Sequence, residues 1–179
     1  MIPEIREQFN RAFSPERYRS MLSDLNSKAG YTIPFRIAET PVFLPPEFMA
    51  RLQTAGEEIL SQLLSAEALE HSLKGVPKSC AVPGDAGRPT MIALDFAVCY
   101  DQKGTAVPRL IEMQGFPSLF AYQHLLALSF RKHFEIPFGL RHVFTASDEE
   151  YIQRLSKLLL GGHEPAEVVM LEIEPERQQ

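Results

Sequence analysis

The thirty residues from Thr90 to Leu119, TMIALDFAVCYDQKGTAVPRLIEMQGFPSL, constrain the fold more than any other part of the chain. Ile92, Leu94, Phe96, Val98 and Tyr100 alternate with smaller or polar residues, the period-two signal of a strand with one buried face. Val107, Arg109, Ile111 and Met113 alternate in the same way on the return run. Between the two runs, Asp101, Gln102, Lys103 and Gly104 supply turn chemistry, and glycine can take the positive φ that a reversal requires. The stretch therefore predicts an antiparallel hairpin running into a helix.

A one-residue slip would move every side chain to the wrong face, so the apolar pattern also constrains the register. Placing Ile92, Leu94, Phe96 and Val98 on one face with Ile111 and Met113 requires facing residue numbers to sum to an odd value. A sum of 207 sets Asp95 directly across from Glu112, with Gln114 two residues further along on the same face. Facing carboxylates repel, and a sheet that keeps them needs a cation, a proton or a basic side chain between them. An oxygen-rich patch of Asp95, Glu112 and Gln114 suits magnesium, which is commonly held by one or two carboxylates while waters and phosphates complete its shell. The bland alternative is that these carboxylates cap helices or pair with Arg109, Arg36 or Arg88.

A strand carrying D-h-x-h, a glycine-containing turn, then a strand ending in E-x-N before a Pro-Ser or Pro-Gly helix start resembles the metal-binding end of ATP-grasp ligases. The resemblance implies Asp95, Glu112 and Gln114 as ligands of the magnesium ions that bridge ATP phosphates. Gln114 stands where that family usually has asparagine, and the lysine-bearing strands and small-residue loop that clasp the nucleotide do not precede the hairpin. The order along the chain is similar to the opening segment of the circularly permuted members, such as glutathionylspermidine synthase. It implies the N-terminal part of a carboxylate-amine ligase that takes a nucleotide and a small-molecule substrate and is inactive alone. A non-catalytic interaction module with a structural acidic patch is the competing reading.

With 179 residues, 45% of them hydrophobic, and a net charge of -5, the composition is that of a soluble globular chain of one domain, or one domain and part of another. The acidic balance argues against sequence-independent nucleic-acid binding, which needs clustered Lys and Arg. No apolar run reaches membrane-spanning length, and Met1-Ile2-Pro3-Glu4 does not open a signal peptide, so the cytoplasm is the expected compartment. Cys80 and Cys99 are read as free thiols, the five histidines show no ligand spacing, and the GxxxxGK[ST], GxGxxG and GxSxG motifs are absent.

Helices are predicted over 3–12 and 15–28, where Ser14 and Pro15 read as N-cap and first helical residue. An extended run with Pro41 inside follows over 35–44, suited to an edge strand. Pro45 and Pro46 open a long helix with the apolar stripe Phe48, Leu52, Ala55, Ile59 and Leu63, and Ser65 caps a second piece. Residues 76–89 read as a loop. After the hairpin, Pro117 opens a helix reaching about Phe134, and Gly115 and Ser118 beside its start could hold an anion through free N–H groups. A strand over 141–145, a helix over 148–160 with a Ser147/Glu150 capping box, and a strand over 167–173 then predict a β-α-β piece. The expected architecture is α/β, or α+β, with 1–135 as the hairpin-bearing region and 136–179 as the start of a second domain. That β-α-β piece needs cover on both faces, which a missing C-terminal domain or self-association would provide.

Overall fold

A computed structural model describes residues 1–80, 82–84, 89–115, 119–141 and 145–169. Its elements are α1 (Pro3–Ala12), α2 (Pro15–Ala29), α3 (Pro46–Leu63), α4 (Ala66–Lys74), β1 (Ala93–Tyr100), β2 (Ala106–Gln114), α5 (Phe120–His133) and α6 (Asp148–Leu160). The fold is mixed α and β, as the sequence predicts, and among the described residues its sheet is the antiparallel pair β1-β2. No helix among them is long and apolar enough to cross a membrane.

The chain forms two compact units, Met1–Phe43 with Leu119–Gln179, and Leu44–Ser118. Glu135 and Ile136, on either side of the division read from sequence, both lie in the first. The core of this first unit is Phe9, Met21, Leu25, Ile33, Ile37, Phe43, Phe130, Phe134 and Ile136. Ser14 sets the start of α2 by accepting from the Arg17 N–H, and Gly30 ends the helix at φ 79, a backbone conformation that costs glycine little. Met21 and Leu25 lie one turn apart on α2 and are fully buried, and α2 packs against α5. The Phe9 ring lies 4.8 Å from that of Phe134, and Phe13 stacks on Phe134 at 6.2 Å.

Residues 35–44 form no strand. Among the described residues no neighbouring strand offers a ladder, and single bonds hold the segment: Tyr18 Oη donates to the Ile37 carbonyl at 2.5 Å, and the Ile2 N–H donates to the Phe43 carbonyl at 2.8 Å. Burial of Ile37 and Phe43 then anchors it between those bonds.

Helix α6 matches its predicted span, and Ser147 accepts from the Glu150 N–H. The Glu150 carboxylate in turn accepts from the Ala146 N–H at 2.9 Å, one residue before the cap. Of the two strands expected beside α6, Arg141 and Thr145 at the ends of the first are not extended ladder residues, and 142–144 lie outside the described residues. For the second, Glu167 ends a short 3-10 turn, Val168 and Val169 carry no ladder, and 170–173 lie outside the described residues.

In the second unit α3 packs on β2 and α4 follows it, started by Ser65 accepting from the Ala68 N–H. Phe48 and Gly56 of α3 are buried. A Cβ on Gly56 would meet Leu94 Cδ1 at 3.4 Å, so this glycine marks the close approach of helix to hairpin.

Candidate functional site

The hairpin closes on its turn residues. Asp101 Oδ1 accepts from the Lys103 and Thr105 N–H groups, each at 2.8 Å, and Gly104 takes φ 75. The side chain of Asp101 thus satisfies two donors that the tight reversal leaves without a ladder partner.

The structure pairs Asp95 with Glu112, one of the odd-sum registers that the apolar alternation allows, with Leu94 opposite Met113 and Ala93 opposite Gln114. An irregularity between Asp95 and Phe96 then changes the register, so that Phe96 faces Leu110 and Ala97 faces Arg109. Ile111 is the extra residue of this bulge and is 66% exposed. The predicted grouping of Ile111 with Leu94, Phe96 and Met113 therefore does not form. Two residues of the bulged strand oppose one of its partner, which flips the parity of everything before them. Val107 and Arg109 join the face of Asp95 and Glu112 instead.

On that face Asp95 and Glu112 are both exposed, and Gln114 is half-buried. Gln114 Nε2 donates to Glu112 Oε1, so the amide orients one carboxylate and keeps its own oxygen as a further donor atom. The structural alternatives for the pair are not realised among the described residues. The helix N-caps are other residues, Arg36 bonds Glu39 at 2.8 Å, and Arg109 makes no ion pair with either carboxylate. Arg88 lies outside the described residues.

Two carboxylates and an amide oxygen on one face fit the chemistry of magnesium, which needs only one or two protein carboxylates when phosphates and water fill the other positions. The set is smaller than an all-protein cage, and among the described residues no group of three or more His, Cys, Asp or Glu side chains could hold a metal. Gly115 follows β2 directly, with a Cβ position 3.5 Å from Pro89 Cβ, and stands ahead of the first residue of α5, Phe120. Ser118 lies outside the described residues. The residue before α5 is Leu119, at φ 60, an uncommon left-handed conformation for a branched side chain.

The first unit holds two polar concentrations that sequence reading did not single out. Asp24 binds Lys28 at 2.9 Å and Lys132 by a short contact, lies 3.7 Å from His133 Nε2, and accepts from the buried Ser129 hydroxyl at 3.5 Å. Hydrogen bonds from Lys132 and Lys28 hold its carboxyl well below the usual range. Arg131 Nη2 donates to both Asp148 oxygens at 2.6 Å, and His124 stacks on Tyr151 beside them. Only the Asp24/Lys28 spacing of four residues was visible in sequence. No family model, curated protein or solved structure matches the chain.

Proposed function

We propose that the hairpin face of Asp95, Glu112 and Gln114 binds magnesium, and that this chain contributes that face to an ATP-dependent carboxylate-amine ligase. The observation that supports the reading is the direct pairing of Asp95 with Glu112. Two facing carboxylates destabilise a sheet and a cation between them relieves the repulsion, and no side-chain cation among the described residues takes that position. Asp95 and Glu112 would be the charged ligands, and the Gln114 amide would fix the Glu112 rotamer while offering its oxygen. Magnesium bound there would neutralise charge on nucleotide phosphates. The protein need supply no nucleophile, because the substrate amine attacks an activated carboxylate.

Calorimetric titration with magnesium, then with magnesium and ATP, tests the proposal. The unaltered chain is expected to give a saturable heat that Glu112→Ala and Asp95→Asn each abolish. No magnesium-dependent heat from the unaltered chain, or one that survives both substitutions, would overturn it.

The second reading, a non-catalytic interaction module, is favoured by one observation. Val98, Tyr100, Leu110, Ile111 and Met113 leave between 41% and 71% of their surface exposed on a single hairpin, and exposed apolar groups of this kind mark contact surfaces.

A further inference from the structure

We propose that β1 pairs edge to edge with β1 of a second copy of this chain, about a two-fold axis at Ala97, so that two hairpins join into a four-stranded antiparallel sheet. The inference stands apart from the magnesium reading.

Each strand of a two-stranded sheet has an outer edge of unpaired N–H and C=O groups, and proteins blunt such edges with proline, basic side chains or bulges. The β2 edge carries all three: Pro108 has no donor, Arg109 is charged, and Ile111 is the bulged residue. The β1 edge, ALDFAVCY, carries none of them and has Asp95 as its single charge. Among the described elements β1 pairs along one edge with β2, and α3 meets it on a face, at Leu94. Of the two edges, β1 is the one open to another strand.

The ladder sets which registers such a strand can take. The Asp101 N–H donates to the Thr105 carbonyl at 3.0 Å, so odd-numbered residues of β1 turn their backbone groups to β2. The even-numbered ones, Phe96, Val98 and Tyr100, therefore turn theirs outward. A two-fold axis at Ala97 sets Phe96 opposite Val98 of the second copy and Leu94 opposite Tyr100, all with outward backbone groups. Ala97 meets its own copy at a non-hydrogen-bonded position, where Cα atoms approach to about 4.5 Å and small side chains suit best. This register covers Val98 and Tyr100, which are 41% and 71% exposed. It sets Asp95 against Cys99. Moving the axis one residue on, to Val98, would set Asp95 against Asp101, two like charges directly opposed. The Ala97 axis avoids that repulsion, covers both exposed side chains and is self-complementary, as an isologous dimer requires.

The full chain is expected to give twice the 20.2 kDa chain mass by light scattering across a dilution series. Val98→Lys, which places an ammonium against Phe96 of the partner copy, should return it to monomer with unchanged circular dichroism. Ala97→Cys, in a background of Cys80→Ser and Cys99→Ser, should form a disulfide-linked dimer under mild oxidation, since the facing Cβ atoms fall within disulfide reach. A monomeric mass for the unaltered chain, a Val98→Lys chain that stays dimeric, or no cross-link through position 97 each overturns the proposal. Because the cross-link needs no loss of binding, a misfolded Val98→Lys chain would not rescue or sink the idea by itself.

Discussion

Asp24 shows how much one side chain can tie together in the first unit. It takes hydrogen bonds from Lys28 on its own helix and from Lys132 and Ser129 on α5, and its carboxyl is held below its ordinary value near 3.8. The folded state binds the proton more weakly than the unfolded chain does. The interaction therefore adds stability above about pH 4 and loses it as pH falls through the folded value. Asp24→Asn is expected to lower the Tm at pH 7 and to shrink the difference between Tm values measured at pH 7 and in acid. Equal acid sensitivity in the variant and the unaltered protein would show that Asp24 contributes nothing to it. Asp95 and Glu112 were legible in sequence because strand periodicity limits the register to odd sums, and at a sum of 207 the two face each other, on the side of the bulge where that parity holds. Apart from Lys28, Asp24 is held by Ser129 and Lys132, 105 and 108 residues away, and no local pattern encodes such a contact.

Local chemistry was readable where one residue sets one backbone event. Ser14, Ser65 and Ser147 each accept from the N–H three residues on, and their helices begin where the sequence predicts. Ser147→Ala is expected to cost about 1 kcal/mol, the usual worth of such a cap, measured by chemical denaturation. The bulge at Ile111 was not readable because alternation along a strand carries no mark of an inserted residue, and the unpaired run over 35–44 was not, because its state depends on whether a partner strand is offered. The meeting of α3 and β1 at Gly56 is a third such feature, and it can be probed in both directions. Gly56→Ala places its methyl 3.4 Å from Leu94 Cδ1, at ordinary contact distance, while removing glycine's helix penalty. It is expected to be neutral or to stabilise by up to about 1 kcal/mol. Gly56→Leu has no such room and should destabilise by about 1–3 kcal/mol. If both variants behaved alike in denaturant melts, the close approach of helix and hairpin would not be limiting.

At the scale of the molecule, the first unit is built from two stretches far apart in sequence, with the hairpin-bearing segment Leu44–Ser118 between them. Phe9, Met21, Leu25, Ile33, Ile37 and Phe43 come from the first stretch, and Phe130, Phe134 and Ile136 from the second. Neither stretch holds a complete core alone, so α1 and α2 should be protected only while α5 is in place. Phe134 is the residue to remove, since it is 4% exposed and its ring contacts those of Phe9, Phe13 and Phe130. Phe134→Ala is expected to cost about 3–5 kcal/mol through lost transfer energy and the cavity left behind. Hydrogen exchange resolved by segment is the measurement that locates the loss. Protection should fall together over 15–29 and 120–133, because those helices share the damaged core, while amides over 93–114 keep theirs. Equal loss across the hairpin would mean that the two compact units open as one cooperative body.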